Sequence, residues 1–284
     1  MDQGAWQPRV RATPERSVLA HVNYLGGMSE RPKFHVYDRA RDNLRLEPHH
    51  RLIRNARAQP TAPTIDDAGF QLVEFRSQVK SFTSRKQLLM VYRREIEDLI
   101  RSLTGAAKVV AEPLGVVRVN TRASDESANA AHAPVRFVHI DHTPRSALDV
   151  IRRLVPSECD EFGPRRPCAL YSVWRSLTPP PQDTPLAVCD TRSIATEDSV
   201  SADTILDWPG SRAGTVEATL LRFNTSHRWY YFPAMTSDEV LVFKAFDSDQ
   251  TRPGGVPHVA FDDPNCPSDV TPRRSLDVRA VAIF

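Results

Sequence analysis

The alternation of apolar and polar positions changes character once along the chain. Between Ser84 and Leu103, the residues Leu88, Leu89, Tyr92, Ile96, Leu99, Ile100 and Leu103 recur at helical spacing and form one stripe. Ser84 supplies an N-cap and Gly105 a stop, so the spacing predicts an amphipathic helix there. From residue 107 onward the period falls to two. Short apolar runs predict strands near 107–111, 115–121, 135–141, 168–174, 185–190, 215–223, 228–233, 239–246, 257–261 and 275–283. Pro179-Pro180-Pro181, Pro209-Gly210 and Pro253-Gly254-Gly255 separate several of them. Residues 68–75 add one short strand, whereas residues 1–65 are polar and proline-punctuated, with brief patches such as Val18-Leu19-Ala20. Many strands after one good helix predict a mainly β sandwich or barrel with helices packed outside. A parallel α/β sheet would need a helix between strands, and the pattern offers none. The 284 residues read as a single domain, with residues 1–80 as a wrapping N-terminal arm and 107–284 as the β core.

Composition narrows the setting. Hydrophobic residues make up 40% and charged residues 25%, ordinary values for a globular chain that buries its own core. The net charge of +2 supplies no field that would steer the chain to nucleic acid or an anionic membrane. Lysine occurs only at Lys33, Lys80, Lys86, Lys108 and Lys244, so the cationic side chains are mostly arginine. No run approaches 18 apolar residues, and the start, Met1-Asp2-Gln3-Gly4, lacks the basic and apolar regions of a secretory signal. Cys159, Cys168, Cys189 and Cys266 form no CxxC pair. Reduced thiols in a cytoplasmic protein are the expectation.

Candidate chemistry centres on Val138-His139-Ile140-Asp141-His142. Residues i and i+2 of a strand share a face, so His139 and Asp141 aim an imidazole and a carboxylate at one point. That is two-thirds of the two-His-one-carboxylate triad that binds Fe(II) with open positions. His258, which starts an apolar strand after a Gly-Gly turn, is the best distal third ligand. A lone HxD is common by chance, and a strand-end histidine with a local carboxylate partner is its bland counterpart. Were the chain to bend after Asp141, His139 and His142 could instead serve a hydrolytic zinc site. His21, His35, His49, His50, His132 and His227 read as solvated, locally bonded or turn residues.

The final strand carries a second feature. Arg273, Ser275, Asp277 and Arg279 alternate with Leu276, Val278, Ala280 and Ala282. A guanidinium beside a hydroxyl suits a carboxylate, although a solvated sheet face would show the same alternation.

Taken together, these blocks resemble the fungal and bacterial hydroxylase/desaturase group of Fe(II)/2-oxoglutarate oxygenases, related to the aspergillic-acid-pathway hydroxylase, the gibberellin desaturase and the cephamycin methoxylation component. The matching segments are Tyr92-Arg93-Arg94-Glu95 through Thr104-Gly105-Ala106, Val138-His139-Ile140-Asp141, Val173-Trp174-Arg175, and Pro185 to Asp190. They continue with Trp229-Tyr230-Tyr231-Phe232-Pro233, Asp238-Glu239, Phe246-Asp247-Ser248, and His258-Val259-Ala260-Phe261 through Arg273 to Arg279. They run in order from about residue 90 to 279. Ser172 departs from the usual Asn, and His142 from the Tyr or other residue that often follows HxD.

The resemblance implies a double-stranded β-helix (jelly-roll, cupin-like) core. It implies His139, Asp141 and His258 as iron ligands, Arg273 and Ser275 on the co-substrate, and Arg279 as a second candidate for that carboxylate. Fe(II), 2-oxoglutarate and O2 would then oxidise a C–H bond of a small natural-product substrate by hydroxylation, desaturation or rearrangement. Trp174, Arg175, Trp229 and Tyr230 are candidate pocket residues, and the arm before residue 80 and the loops around 120–133 and 191–214 are candidate lid elements. A zinc hydrolase using His139, Asp141 and His142, and a cupin-like binder without activity, are the alternatives.

Overall fold

Two β-sheets face each other in the computed structural model, which describes residues 17–120, 133–156, 166–210 and 212–284. Residues 1–16 of the arm, most of the loop at 120–133, His132 and Cys159 lie outside the described residues.

The smaller sheet is built on β8 (Cys168–Ser176) and β15 (Arg274–Ile283), paired antiparallel along their whole length. It runs β4 (Phe70–Glu74), β13 (Glu239–Asp247), β8, β15, β5 (Lys108–Ala111), and β6 (Val116–Val119) also pairs with β15. Period two decides what each face carries. Tyr171, Val173, Leu276, Val278, Ala280 and Ala282 point outward, onto the apolar stripe formed by Tyr92, Ile96, Leu99 and Ile100. That stripe belongs to the predicted helix: α1 (Arg85–Gln87) passes through a π-helical turn (Leu88–Tyr92) into α2 (Arg93–Thr104). Ser84 caps its start by accepting from the Gln87 amide, and Gly105 ends it at φ 69°, a conformation that costs a residue with a Cβ more than it costs glycine. The inward face carries Trp174, Leu241 and Phe243, which meet the larger sheet. Gly115, just before β6, allows that strand its close approach: an added Cβ would lie 2.4 Å from the Asp277 carbonyl.

The larger sheet has nine strands in the order β1 (Ser17–Leu25), β3 (Leu46–Asn55), β12 (Trp229–Tyr231), β9 (Leu186–Cys189), β14 (His258–Ala260), β7 (His139–Ile140), β11 (Gly214–Leu221), β10 (Ser199–Leu206), β2 (Lys33–His35). The N-terminal region is therefore more than a wrapping arm, because β1, β2 and β3 are integral strands of this sheet. In β1, the buried Val18, Ala20, Val22 and Tyr24 alternate with exposed or half-buried neighbours. In β3, only Ile53 and Asn55 are buried, so polar residues dominate and mask the strand. The segment 191–214, expected to be a loop, contains β10.

A second helix, α3 (Pro144–Leu154), was also unexpected. Thr143 caps it, Pro144 occupies its first turn, and Ala147, Val150 and Ile151 bury against Cys168, Leu170 and Ile283. Asp198, His227, Tyr24 and Trp229 form a buried polar chain: Trp229 donates to the Tyr24 hydroxyl at 2.7 Å, and His227 bridges that hydroxyl and Asp198, each at 3.1 Å. Among the described residues, no helix is long and apolar enough to cross a membrane.

Candidate active site

Register brings the two distant histidines together. Strands β7 and β14 pair antiparallel with His139 directly opposite His258, and their rings stand 4.2 Å apart. Asp141 follows β7 immediately. Ligand atoms of His139, Asp141 and His258 all lie within 4.8 Å of one another. The Nε2 atoms of His139 and His258 are 3.5 and 3.9 Å from Asp141 Oδ1. Each imidazole is turned by its other nitrogen. His139 Nδ1 lies 3.0 Å from the Phe137 carbonyl, and His258 Nδ1 lies 3.1 Å from the Val256 carbonyl. A carbonyl can only accept, so both Nδ1 atoms carry the proton and both Nε2 lone pairs face the centre. Two neutral imidazoles and a carboxylate, preset this way, fit a divalent metal with borderline N/O preference.

Electrostatics hold the same arrangement. Burial would raise the Asp141 pKa, but the adjacent Arg279 guanidinium holds it well below the usual carboxylate range. Arg279 donates to Asp141 Oδ2 at 2.8 Å, and Glu112 lies 3.8 Å from its other side. Burial and the neighbouring His139 push His258 down to about 3, against the pull of Asp141. The ring is thus neutral and able to ligate at any physiological pH. Burial raises Asp277 to about 7, with Arg279 opposing.

Arg273 and Ser275 lie on the inward face of the last strand, not on a solvated one. Arg273 is 2% and Ser275 1% exposed. The guanidinium donates to the Thr184 carbonyl at 2.8 Å and to Ser275 Oγ at 3.2 and 3.3 Å, and it rests on the Trp174 ring at 5.1 Å. Burial, reinforced by Arg118, lowers its pKa to about 9, so it remains a cation. Arg273, Asp277, Trp174 and the triad line one narrow inner cavity. A second, outer cavity of about 220 Å³ meets it at His139, Asp141, Arg118 and Arg279.

The remaining expectations divide. Trp174 reaches the inner cavity. Arg175, one residue on, takes the opposite face of β8. There it sits among Phe75, Phe82 and Tyr92 and donates to the Ser237 and Phe75 carbonyls, far from the triad. Trp229 packs in the core behind the larger sheet against Tyr24. Tyr230 lines a separate surface pocket with Asp190 and Arg192. None of these three lines the triad cavity among the described residues; strand period turns Arg175 and Trp229 away from it, while Tyr230 lies farther along the same face. His142 lies outside the ligand group: its Nδ1 is 3.4 Å from Ser146 Oγ, and its buried Nε2 has no hydrogen-bond partner. The predicted lid region contributes Thr204, Leu206 and Trp208 to the outer cavity, and the arm contributes Phe34, His35, Val36 and Arg39. Arg39 and Arg118 were not singled out from sequence. Arg118 did leave a signal, as a lone cation within Val116-Val117-Arg118-Val119.

This site and fold have known relatives. A family profile described as an oxidoreductase/YMDC permease-like domain matches residues 22–283. The chain is 31% identical over 245 residues to the Fe(II)/2-oxoglutarate-dependent dioxygenase nvfI of Aspergillus novofumigatus, covering 84% of each protein. It is 31% identical to the hydroxylase/desaturase efuI of Hormonema carpetanum, over 74% of this chain and 76% of the relative. It is 27% identical to the gibberellin cluster GA4 desaturase of Gibberella fujikuroi, over 82% of this chain and 86% of the relative. Among solved structures, the iron and alpha-ketoglutarate-dependent endoperoxidase NvfI superposes with a TM-score of 0.81 at 25% identity, covering 96% of this chain and 99% of the other. The chain belongs to the Fe(II)/2-oxoglutarate-dependent oxygenase family. Its two sheets form the double-stranded β-helix of that family, and it is an oxidoreductase whose cofactor set is Fe(II), 2-oxoglutarate and O2.

Proposed function

We propose that His139, Asp141 and His258 hold the Fe(II), that Arg273 with Ser275 receives the far carboxylate of 2-oxoglutarate, and that a small natural product enters through the outer cavity to be oxidised at an aliphatic C–H bond. The observation that carries this reading is the convergence of two tautomer-fixed Nε2 atoms on Asp141 Oδ1, beside a cavity floored by a buried guanidinium.

The chain's own residues divide the work. The carbonyls of Phe137 and Val256 lock the imidazoles and leave their lone pairs to the metal. Arg279 occupies Asp141 Oδ2 and leaves Oδ1 to ligate. That contact favours Arg273 over Arg279 as the keto-acid anchor. Burial makes the Arg273 contact strong, because a desolvated guanidinium forms short, charge-assisted bonds to a carboxylate. Leu186, Phe243 and Trp174 keep water from the inner cavity. When bound, the iron with 2-oxoglutarate and O2 supplies the oxidising power and converts the keto acid to succinate and CO2. Placement of the substrate in the outer cavity decides which C–H bond is exposed to it.

The free thiols of Cys168, Cys189 and Cys266 support a reducing, cytoplasmic setting. The near-neutral net charge supports a small-molecule partner over nucleic acid or a membrane surface. The test is succinate release from 2-oxoglutarate by the purified protein. Release is expected only with both Fe(II) and O2, and it should rise when substrate is present. Equal turnover of a hydrolysable ester under anaerobic conditions, with no succinate in air, would overturn the reading.

A further inference from the structure

The outer cavity is apolar in body and cationic at its polar points. Phe34, Val135, Leu206 and Trp208 supply hydrophobic wall, while Arg39, Arg118 and Arg153 project basic groups. Asp141 is the only acidic residue among the described residues lining it, and Arg279 already holds that carboxylate at 2.8 Å.

Arg39 stands out within this set. It lies on a 3₁₀ turn (Arg39–Arg41), its guanidinium is 5.9 Å from the Phe137 ring centre, and its buried Nε has no hydrogen-bond partner. The acid nearest in effect is Asp42, and one oxygen of that carboxylate, Oδ1, already accepts from the His35 amide at 2.6 Å. Burial lowers the Arg39 pKa, and Arg118 feels both Arg39 and Arg279 as like charges. Arg153 is compensated differently, through Glu112 at 4.0 Å. A partly desolvated guanidinium with an unused donor is unfavourable by itself, and a ligand that brings negative charge relieves it. The planar fork of arginine matches a carboxylate in particular.

We propose that the outer cavity takes a substrate with an apolar body and one anionic group, a carboxylate or its equivalent, and that Arg39 is the specificity-determining residue that receives it. This rests on the reading of the neighbouring triad as the iron and keto-acid centre. The keto acid has its own anchor in Arg273, so the Arg39 site would select the substrate rather than the co-substrate.

The test uses the full protein, anaerobic and loaded with Fe(II) and saturating 2-oxoglutarate. Binding of 1-naphthoate is compared with that of its neutral methyl ester through quenching of tryptophan fluorescence, since Trp208 lines the cavity. Naphthoate is expected to bind at least about tenfold more tightly than the ester. Arg39→Gln should erase that preference without changing ester binding or the visible charge-transfer absorption of Fe(II) chelated by the keto acid. Arg39→Lys, which keeps the cation, should retain part of the preference. Equal binding of acid and ester to the unaltered protein would overturn the proposal. So would a preference that survives Arg39→Gln, or naphthoate bleaching the charge-transfer absorption by taking the keto-acid site. Absence of that absorption with the naphthoate preference intact would support the anion site and sink the iron reading instead.

Discussion

The inner and outer cavities touch at the triad but are made of different parts of the chain. The inner one is lined from the middle of the smaller sheet. Arg273 and Ser275 introduce β15 and Trp174 sits on β8, two strands paired over their full length. Its guanidinium has its hydrogen bonds arranged before any ligand arrives. The outer one is lined from the edge of the larger sheet, by β2, β10, β11 and the turn that carries Arg39. There the Nε of Arg39 has no hydrogen-bond partner, and Trp208 is 39% exposed. The difference teaches where each kind of recognition is placed. On the proposed assignment, a co-substrate common to the whole family is held by strands paired over their full length, whereas discrimination among substrates falls to edges and turns that tolerate change.

That comparison can be broken first at the shared boundary. His258→Ala removes a proposed ligand of the iron that lies between the two cavities, so iron affinity should fall by more than about 100-fold, beyond the usual cost of losing a residue that only supports a ligand. Metal titration followed by succinate assay reads this directly. Full iron occupancy and turnover in that variant would remove His258 from the centre. The next effect in size belongs to the inner cavity alone. Arg273→Gln should weaken 2-oxoglutarate by roughly 2–5 kcal/mol while leaving iron affinity unchanged, the range for losing one partner of a buried charged pair. An unchanged KM for 2-oxoglutarate would move the anchor elsewhere. Salt gives the smallest effect and the sharpest contrast. Raising ionic strength from about 0.05 to 0.5 M should weaken anion binding in the outer cavity several-fold and 2-oxoglutarate binding by less than about twofold, because screening reaches exposed charges far more than buried ones. Equal salt slopes for the two ligands would mean that the cavities do not differ in desolvation.

Much of this arrangement was legible in the sequence, and physical reasons separate what was from what was not. The α2 stripe and the strands after residue 107 were plain because each buries one continuous face. The HxD pair was legible because strand period alone sets its geometry. The third ligand was narrower in principle: only strand order places His258 opposite His139, and sequence spacing carries no strand order. Strand β3 hid behind His49, His50 and Arg51, since most of its length faces solvent. Helix α3 did leave a signal in Thr143-Pro144, a cap followed by a first-turn proline. Trp229 and Arg175 show the opposite failure, in which aromatic and cationic residues beside a motif were assigned to its face although strand alternation sends them away from it. Arg39 had no signal at all, because the cavity wall around it comes from β10 and the Phe137 segment rather than from adjacent sequence.

The one-to-one pairing of His139 with His258 has a consequence for how the chain assembles. Side chains on a strand swap sides with every residue, so a slip of one position between β7 and β14 would turn one imidazole out of the centre. Gly255 narrows the tolerance further, because a methyl group there would lie 2.6 Å from Ile140. On the proposed ligand set, iron would bind tightly only to correctly aligned strands, and mass action would draw misaligned chains toward that alignment. Loading the metal would then double as a proofreading step in maturation of the enzyme.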